Sequence, residues 1–416
     1  MIMLKIYKFI SIILSPIIFL LLVFRLAISK EKIQSIREKF SLYKNTRPKG
    51  KLIWINGVSI GEAKTAITVA NEIKKNNPDC IILLTTSTSS SYDLISKMKI
   101  NFKLVYAPLD ISYVVNRFLT NWKPSLTIFI ESEVWPNIFW SLKKRSIKLK
   151  IFNARMSKKS YTTWKRFNFF AKQIFCLIDV CFVQDFKSKE RFKRLGVKNV
   201  KKIENIKFLS KELDVDNKKY IFLKNKLKNK RIVTFFSSHK GEEELFLDCF
   251  DKLEKKIKNL FFIIIPRHLD RIDNIIEIFN KKGRAFNYRD NSESNIIDNN
   301  PLIVNSMGEL GLFFKLSEIA VVGGSFSNKG GHNPIETQSF NCSVIFGPHM
   351  ENFKEIKDLI VKNNAGFEVK NLNGLIKKIN AILKNKKLNE RTYKNFEKLC
   401  FSFSNKSRNQ LKFLLK

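Results

Sequence analysis

A chain of 416 residues with 44% hydrophobic residues can bury two domain-sized cores, which excludes a disordered or fibrous protein. Its formal net charge of +39 points to an anionic partner: nucleic acid, an anionic membrane surface or a phosphorylated substrate. Lysines are spread along the chain with no dense arm or tail, which argues against nucleic acid.

The six cysteines fall at no zinc or redox spacing, and the four histidines lie in four separate segments of the second half. No metal site is expected from either set. The first half has no histidine at all, so any base there must be a carboxylate or a lysine.

Taken in order, residues 9–24 form an uncharged apolar run broken only by Ser11, Ser15 and Pro16. Lys5 and Lys8 precede it, and Arg25, Lys30, Lys32, Arg37 and Lys39 follow. A spanning helix, an interfacial helix and a cleaved signal peptide all fit such a run. With no small-residue cleavage site, and with basic residues after the run, residues 1–30 read as an uncleaved anchor. The chain that follows then stays on the cytoplasmic side.

From residue 51 the pattern alternates. Strands are predicted at 52–55, 81–85, 104–106, 126–130, 149–152 and 180–184, and helices at 62–75, 87–97, 161–176 and 187–195. The polar, lysine-rich stretch 209–230 breaks the rhythm and reads as a connection. Strands resume at 232–236, 260–265, 302–304, 319–322 and 343–346, with helices at 242–258, 271–281, 308–315 and from 353. The tail, 389–416, has an amphipathic helical pattern.

The fold class is therefore α/β, with two doubly wound parallel domains at 31–208 and 231–395. Residues 396–416 form a C-terminal helix able to pack back on the first domain. Two open α/β domains predict a ligand cleft between them at the carboxyl ends of the strands.

The chemistry-bearing residues follow strands. Gly57-Val58-Ser59-Ile60-Gly61-Glu62 puts an acid in the first turn of a helix, where it either serves the helix dipole or takes a proton from an attacking alcohol. Glu131-Ser132-Glu133 sets two acids just before Pro136, which starts a helix. Asn153-Ala154-Arg155-Met156-Ser157 is a cationic loop suited to a phosphate or carboxylate.

In the second half, Ser238-His239-Lys240-Gly241-Glu242 follows one strand, and Pro266-Arg267-His268 puts an anion donor after another. Met307-Gly308-Glu309 opens a helix. Gly323-Gly324, Gly330-Gly331 and Asn333-Pro334-Ile335-Glu336 then read as strand, glycine loop and capped helix start, a device for holding an anion. No Walker-type loop is present.

This ordered set, together with Ile206-Lys207-Phe208 and Gly347-Pro348-His349, resembles the 3-deoxy-D-manno-octulosonic acid (Kdo) transferases, which add Kdo to the lipid A precursor of Gram-negative outer membranes. The resemblance implies a GT-B glycosyltransferase with two Rossmann-like domains, the acceptor side N-terminal and the CMP-Kdo side C-terminal. It implies inverting transfer from CMP-Kdo with no metal or cofactor, at the cytoplasmic face of the inner membrane.

By the same resemblance, Glu62 is the base, and Glu131 and Lys207 stabilise the transition state. Pro266, Arg267, Met307, Gly308, Glu309, Asn333, Pro334, Ile335 and Glu336 bind CMP. Asn56 stands where that family leads one to expect His. The competing readings are another GT-B transferase that uses a UDP-sugar and a lipid-linked acceptor, and a basic nucleic-acid-binding protein.

Overall fold

The computed structural model describes residues 2–43, 47–98, 101–209, 213–290, 294–296 and 299–414. The chain divides into two compact units, Met1–Leu209 with Ser404–Lys416, and Ser210–Phe403.

The first unit is built on seven parallel strands: β1 Leu52–Asn56, β2 Ile81–Thr86, β3 Lys103–Tyr106, β4 Leu126–Ile130, β5 Lys148–Ala154, β6 Val180–Val183 and β7 Val200–Lys202. Their order is β3-β2-β1-β4-β5-β6-β7. Side chains alternate across a strand, so Leu52 and Trp54 enter one core while Ile53 and Ile55 enter the other. Both faces are covered, which is why β1 reads as a continuous apolar run.

The second unit holds β8 Arg231–Ser238, β9 Leu260–Pro266, β10 Asn287–Arg289, β11 Ser294–Asn295, β12 Leu302–Val304, β13 Ile319–Val322, β14 Ser343–Phe346 and β15 Phe367–Glu368. The order is β11-β10-β12-β9-β8-β13-β14-β15. Among the described residues only the edge pair β10–β11 is antiparallel. Both sheets are the α/β architecture expected from the alternation of strands and helices.

The apolar run at 9–24 is not one helix. It is divided between helices Ile2–Ile13 and Ser15–Ala27, which meet at a 48° bend. Pro16 stands in the first turn of the second helix and has no N–H to give to the preceding turn. Among the described residues no single helix is long and apolar enough to cross a membrane, although this bent pair passes that test together.

The two helices differ in their attachment. The first sends Leu4 into the core and donates a hydrogen bond from Tyr7 Oη to Asp110 at 3.0 Å. Asp110 also accepts from the backbone N–H groups of Asn137 at 3.1 Å and Ile138 at 2.8 Å. Burial still pushes its carboxyl up to about 6 against these donors. The second helix turns Leu20 (64% exposed) and Phe24 (62% exposed) outward.

The helix expected over 161–176 is two, Lys158–Arg166 and Asn168–Phe175. On one continuous helix Trp164 and Phe170 would lie about 120° apart. The break at Phe167 brings their rings to 6.5 Å, while Trp164 also meets Phe175 at 5.2 Å.

The amphipathic tail is a single helix, Lys386–Lys412. Leu411 and Leu414 enter the first unit's core, and Lys150 Nζ donates to the carbonyl of Leu414 at 2.8 Å.

Candidate active site

In the first unit, β1 runs into the helix Ile60–Asn76 through Gly57. A Cβ at Gly57 would stand 2.9 Å from the carbonyl oxygen of Glu62, so only glycine permits this tight entry. Ser59 caps the helix by accepting from Glu62 N at 3.3 Å. The Glu62 carboxylate, 8% exposed, folds back and accepts from Val58 N at 2.6 Å and Ser59 N at 3.0 Å. Both bonds fall on Oε2. Among the described residues no hydrogen bond reaches Oε1, so one oxygen is fixed and the other is available to take a proton.

Glu131 ends β4 in the left-handed region, at φ 64°, with its backbone N–H bonded to Phe152 O at 2.8 Å. Asn153 near the end of β5 is also left-handed, at φ 61°, and its Oδ1 is buried with no hydrogen-bond partner among the described residues. Non-glycine residues in that region at neighbouring strand ends are the kind of strain found at functional sites. Ser132 Oγ ties the two loops together by donating to Arg155 O and accepting from Arg155 N.

Glu133, the second acid of the Glu131-Ser132-Glu133 string, has its carboxyl raised by burial and then by the charge of Glu62. Glu133 is thus in electrostatic reach of Glu62. Lys207 lies on the 3-10 turn Ile206–Leu209, and its side chain is outside the described residues. Asn56 is buried, and its Oδ1 accepts from Thr85 Oγ1 at 2.7 Å, which accepts in turn from Trp54 Nε1 at 2.8 Å. It therefore belongs to a closed chain of hydrogen bonds inside the sheet.

In the second unit, β9 ends at Pro266, and Arg267 is exposed with its N–H held by Ser238 O at 3.1 Å. Met307 is 70% exposed, and Gly308 turns at φ 82°. The Glu309 carboxylate accepts from Arg289 Nη2 at 2.8 Å and Lys219 Nζ at 2.7 Å. Burial raises its pKa, but these cations and Ser306 outweigh it and bring the carboxyl down to about 2. The Glu309 side chain thus holds two elements together, beside the exposed Met307-Gly308 turn.

The helix expected to start at Asn333-Pro334 is corrected by the structure. Pro334–Thr337 is one 3-10 turn, with Asn333 Oδ1 accepting from Ile335 N at 3.2 Å. Four residues do not build the aligned peptide dipoles of an α-helix terminus, so little helix charge is available to an anion there. Pro334 and Ile335 are buried, and Glu336 is half-buried.

Two features of this unit escaped the sequence. Glu242, expected only to start a helix, accepts from His239 N at 2.9 Å, Gly324 N at 2.7 Å and Phe326 N at 2.9 Å. One buried carboxylate thereby pins the glycine loop after β13 to the loop after β8. Also, three of the four histidines converge. The His239 and His332 rings lie within 3° of parallel and meet end to end, with centroids 5.1 Å apart and their Nε2 atoms 2.8 Å apart, and His268 lies edge-on to His239 at 5.8 Å. Among the described residues no three His, Cys, Asp or Glu side chains are grouped to hold a metal ion.

A family profile described as 3-deoxy-D-manno-octulosonic-acid transferase (kdotransferase) matches residues 34–210. The chain is 33% identical to the 3-deoxy-D-manno-octulosonic acid transferase of Rickettsia bellii, covering 96% of this chain and 95% of that protein. It is 30% identical to the transferase of the same name from Haemophilus influenzae, covering 86% and 85%. A solved glycosyltransferase from Rickettsia africae, 13% identical, superposes with a TM-score of 0.59 over 88% of this chain and all of that one. That likeness concerns the fold alone.

Proposed function

The chain belongs to the 3-deoxy-D-manno-octulosonic acid transferases and is a glycosyltransferase of lipopolysaccharide synthesis, and from that premise we propose that it moves Kdo from CMP-Kdo to a lipid A precursor with inversion and without a metal. The observation that carries this reading is Glu62. Its carboxylate is buried at a helix start, held through Oε2 alone, and has Oε1 ready to accept the proton of an attacking sugar hydroxyl.

Glu131 and Lys207 stabilise the oxocarbenium-like transition state in this reading, and Glu133, its carboxyl raised by burial and by the charge of Glu62, lies in electrostatic reach of the base. On the donor side, Arg267 is an exposed guanidinium at a strand end, suited to the phosphate that departs with CMP. Pro266, Met307, Gly308 and the turn Asn333–Glu336 complete the cytidine nucleotide site. Glu309 contributes by keeping Arg289 and Lys219 in place. No cofactor takes part.

The membrane surface enters through the N-terminal helix pair. Its outward apolar residues and the flanking Lys5, Lys8, Arg25 and Lys30 suit an anionic inner-membrane face, with the catalytic units on the cytoplasmic side. The bend and the docked first helix favour a segment lying in the interface. Replacing Leu20, Leu21 and Phe24 by Ser should release the protein from anionic vesicles with its melting transition kept. Unchanged vesicle binding would refute this seat.

Mass spectrometry of the product after incubation with CMP-Kdo and a tetra-acylated lipid A precursor tests the reaction. A mass gain of one or more Kdo units is expected. Transfer from a UDP-sugar in its place would overturn the donor assignment.

A further inference from the structure

We propose that the hydrogen-bonded His239–His332 pair, with His268 and Arg267 beside it, is an anion subsite for the donor nucleotide that takes up a proton as the anion binds. The proposal rests on the cytidine-nucleotide reading above and adds to it a site and a proton.

The sheet order β9-β8-β13 sets three strand-end loops side by side, and each supplies one histidine: His268 after β9, His239 after β8 and His332 beyond β13. The bare backbone of Gly324 admits the pair. A Cβ there would stand 3.2 Å from Cδ2 of both rings, and its φ of +68° already favours glycine. Glu242 holds Gly324 N and His239 N together, so the two loops cannot drift apart.

A 2.8 Å separation between two Nε2 atoms requires one proton between them. In the neutral pair one ring donates from Nε2 and keeps a bare Nδ1, while the other accepts and carries N–H at Nδ1. An added proton from solvent forms an N–H bond at the bare Nδ1. Both Nδ1 atoms are then donors, and the pair carries one positive charge.

The surroundings resist this while no anion is present. Arg267 and His268 face His332, and His268, Lys329 and Arg271 face His239. The carboxylate that favours the charged form, Glu243, is engaged by Arg271 at 2.9 Å and Ser238 Oγ at 2.8 Å. Glu242 is occupied by three backbone N–H groups. Burial and these cations accordingly push His332 down to about 4 and lower His239 as well. A phosphate or carboxylate entering between Arg267 and the pair supplies the missing negative charge and raises both. His268 adjoins Arg267 and His332 adjoins Asn333, members of two of the three segments assigned to CMP.

Calorimetric titration of the full-length protein at about pH 7.5, in two buffers of different ionisation enthalpy, counts the protons. The probes are cytidine, CMP and CMP-Kdo without acceptor. Uptake near one proton is expected with CMP-Kdo and none with cytidine. Because CMP-Kdo is a phosphodiester with no second phosphate proton, that uptake belongs to the protein.

Uptake already present with CMP and lost in both histidine variants identifies the phosphate as the anion, whereas uptake restricted to CMP-Kdo identifies the sugar carboxylate. The Kd should rise about tenfold per pH unit above neutrality, the slope of one linked proton. His332→Gln and His239→Gln should each lose both uptake and slope. Their melting transitions check that they are folded.

Binding of CMP-Kdo without proton uptake, or uptake that persists in both variants, overturns the proposal. If CMP and CMP-Kdo leave the melting temperature unchanged while UDP raises it, the donor reading fails and this inference falls with it.

Discussion

The first strand of each unit ends in the same device, a glycine-containing loop and a helix whose first turn holds a buried glutamate, yet the two glutamates have different work. Among the described residues Glu62 accepts only from Val58 and Ser59, within its own turn. Glu242 accepts from its own loop and from Gly324 and Phe326, more than eighty residues away in sequence. The first leaves an oxygen for chemistry. The second has spread its charge over three backbone donors and become a structural clamp. In the first unit that clamping role falls to Asp110, which joins the N-terminal helix to the start of the helix Pro136–Lys144. A buried acid at a helix start is thus defined by which donors reach it.

Substitutions can break this contrast, and the largest effect is expected at Glu62. Glu62→Gln keeps the shape and removes the proton acceptor, so transfer should fall by about a hundred- to ten-thousand-fold. CMP should still raise the melting temperature as in the parent, and product formation followed by mass spectrometry reads the loss. Retained activity would make Glu62 a cap like any other.

Glu242→Ala strands three backbone donors in a buried site, at a cost of about 3 kcal/mol. A fall of several degrees in melting temperature, with weaker CMP binding, is the expected result. Glu242→Gln keeps one acceptor oxygen and should lie between parent and alanine.

Asp110→Ala removes the acceptor for Tyr7 and two backbone N–H groups, costing about 2 kcal/mol. Limited proteolysis should then cut near the first helix earlier than in the parent. The pH dependence has a defined sign. The folded pKa, about 6, lies above the ordinary aspartate value, so this group's contribution is full below pH 4 and is lost as pH rises through 6. Docking of the first helix should loosen between about pH 4 and 6 in the parent and show no such change in the variant.

Gly324→Ala places a Cβ against both histidine rings at a left-handed position, costing about 1–2 kcal/mol. Donor affinity should fall further than the change in melting temperature accounts for. The smallest effect is that of His332 on stability. Its folded pKa lies below its unfolded value, so its contribution is present above pH 6.5 and lost as pH falls toward 4. His332→Gln should flatten the acid side of the stability profile, measured by thermal melts at fixed ionic strength.

The sequence by itself determined the alternation of strands and helices, because apolar runs of four to eight residues between turn formers have few other solutions. It also determined that Glu62 follows β1 at a helix start, because a Ser-x-x-Glu string after a glycine is a local rule with local donors. It could not determine that the 9–24 run bends at Pro16 with its first half docked, since docking depends on Leu4 and Asp110, more than a hundred residues apart. Nor could it determine the outcome at Asn333-Pro334, where a capping signature gives a single 3-10 turn.

Only the tertiary structure decided the rest. Sheet order differs from chain order: β9, β8 and β13 are neighbours in space, so histidines in three distant loops meet, and Glu242 reaches the Gly324 loop. Propensity and capping act over a few residues, whereas the pairing of parallel strands brings distant loops to one edge.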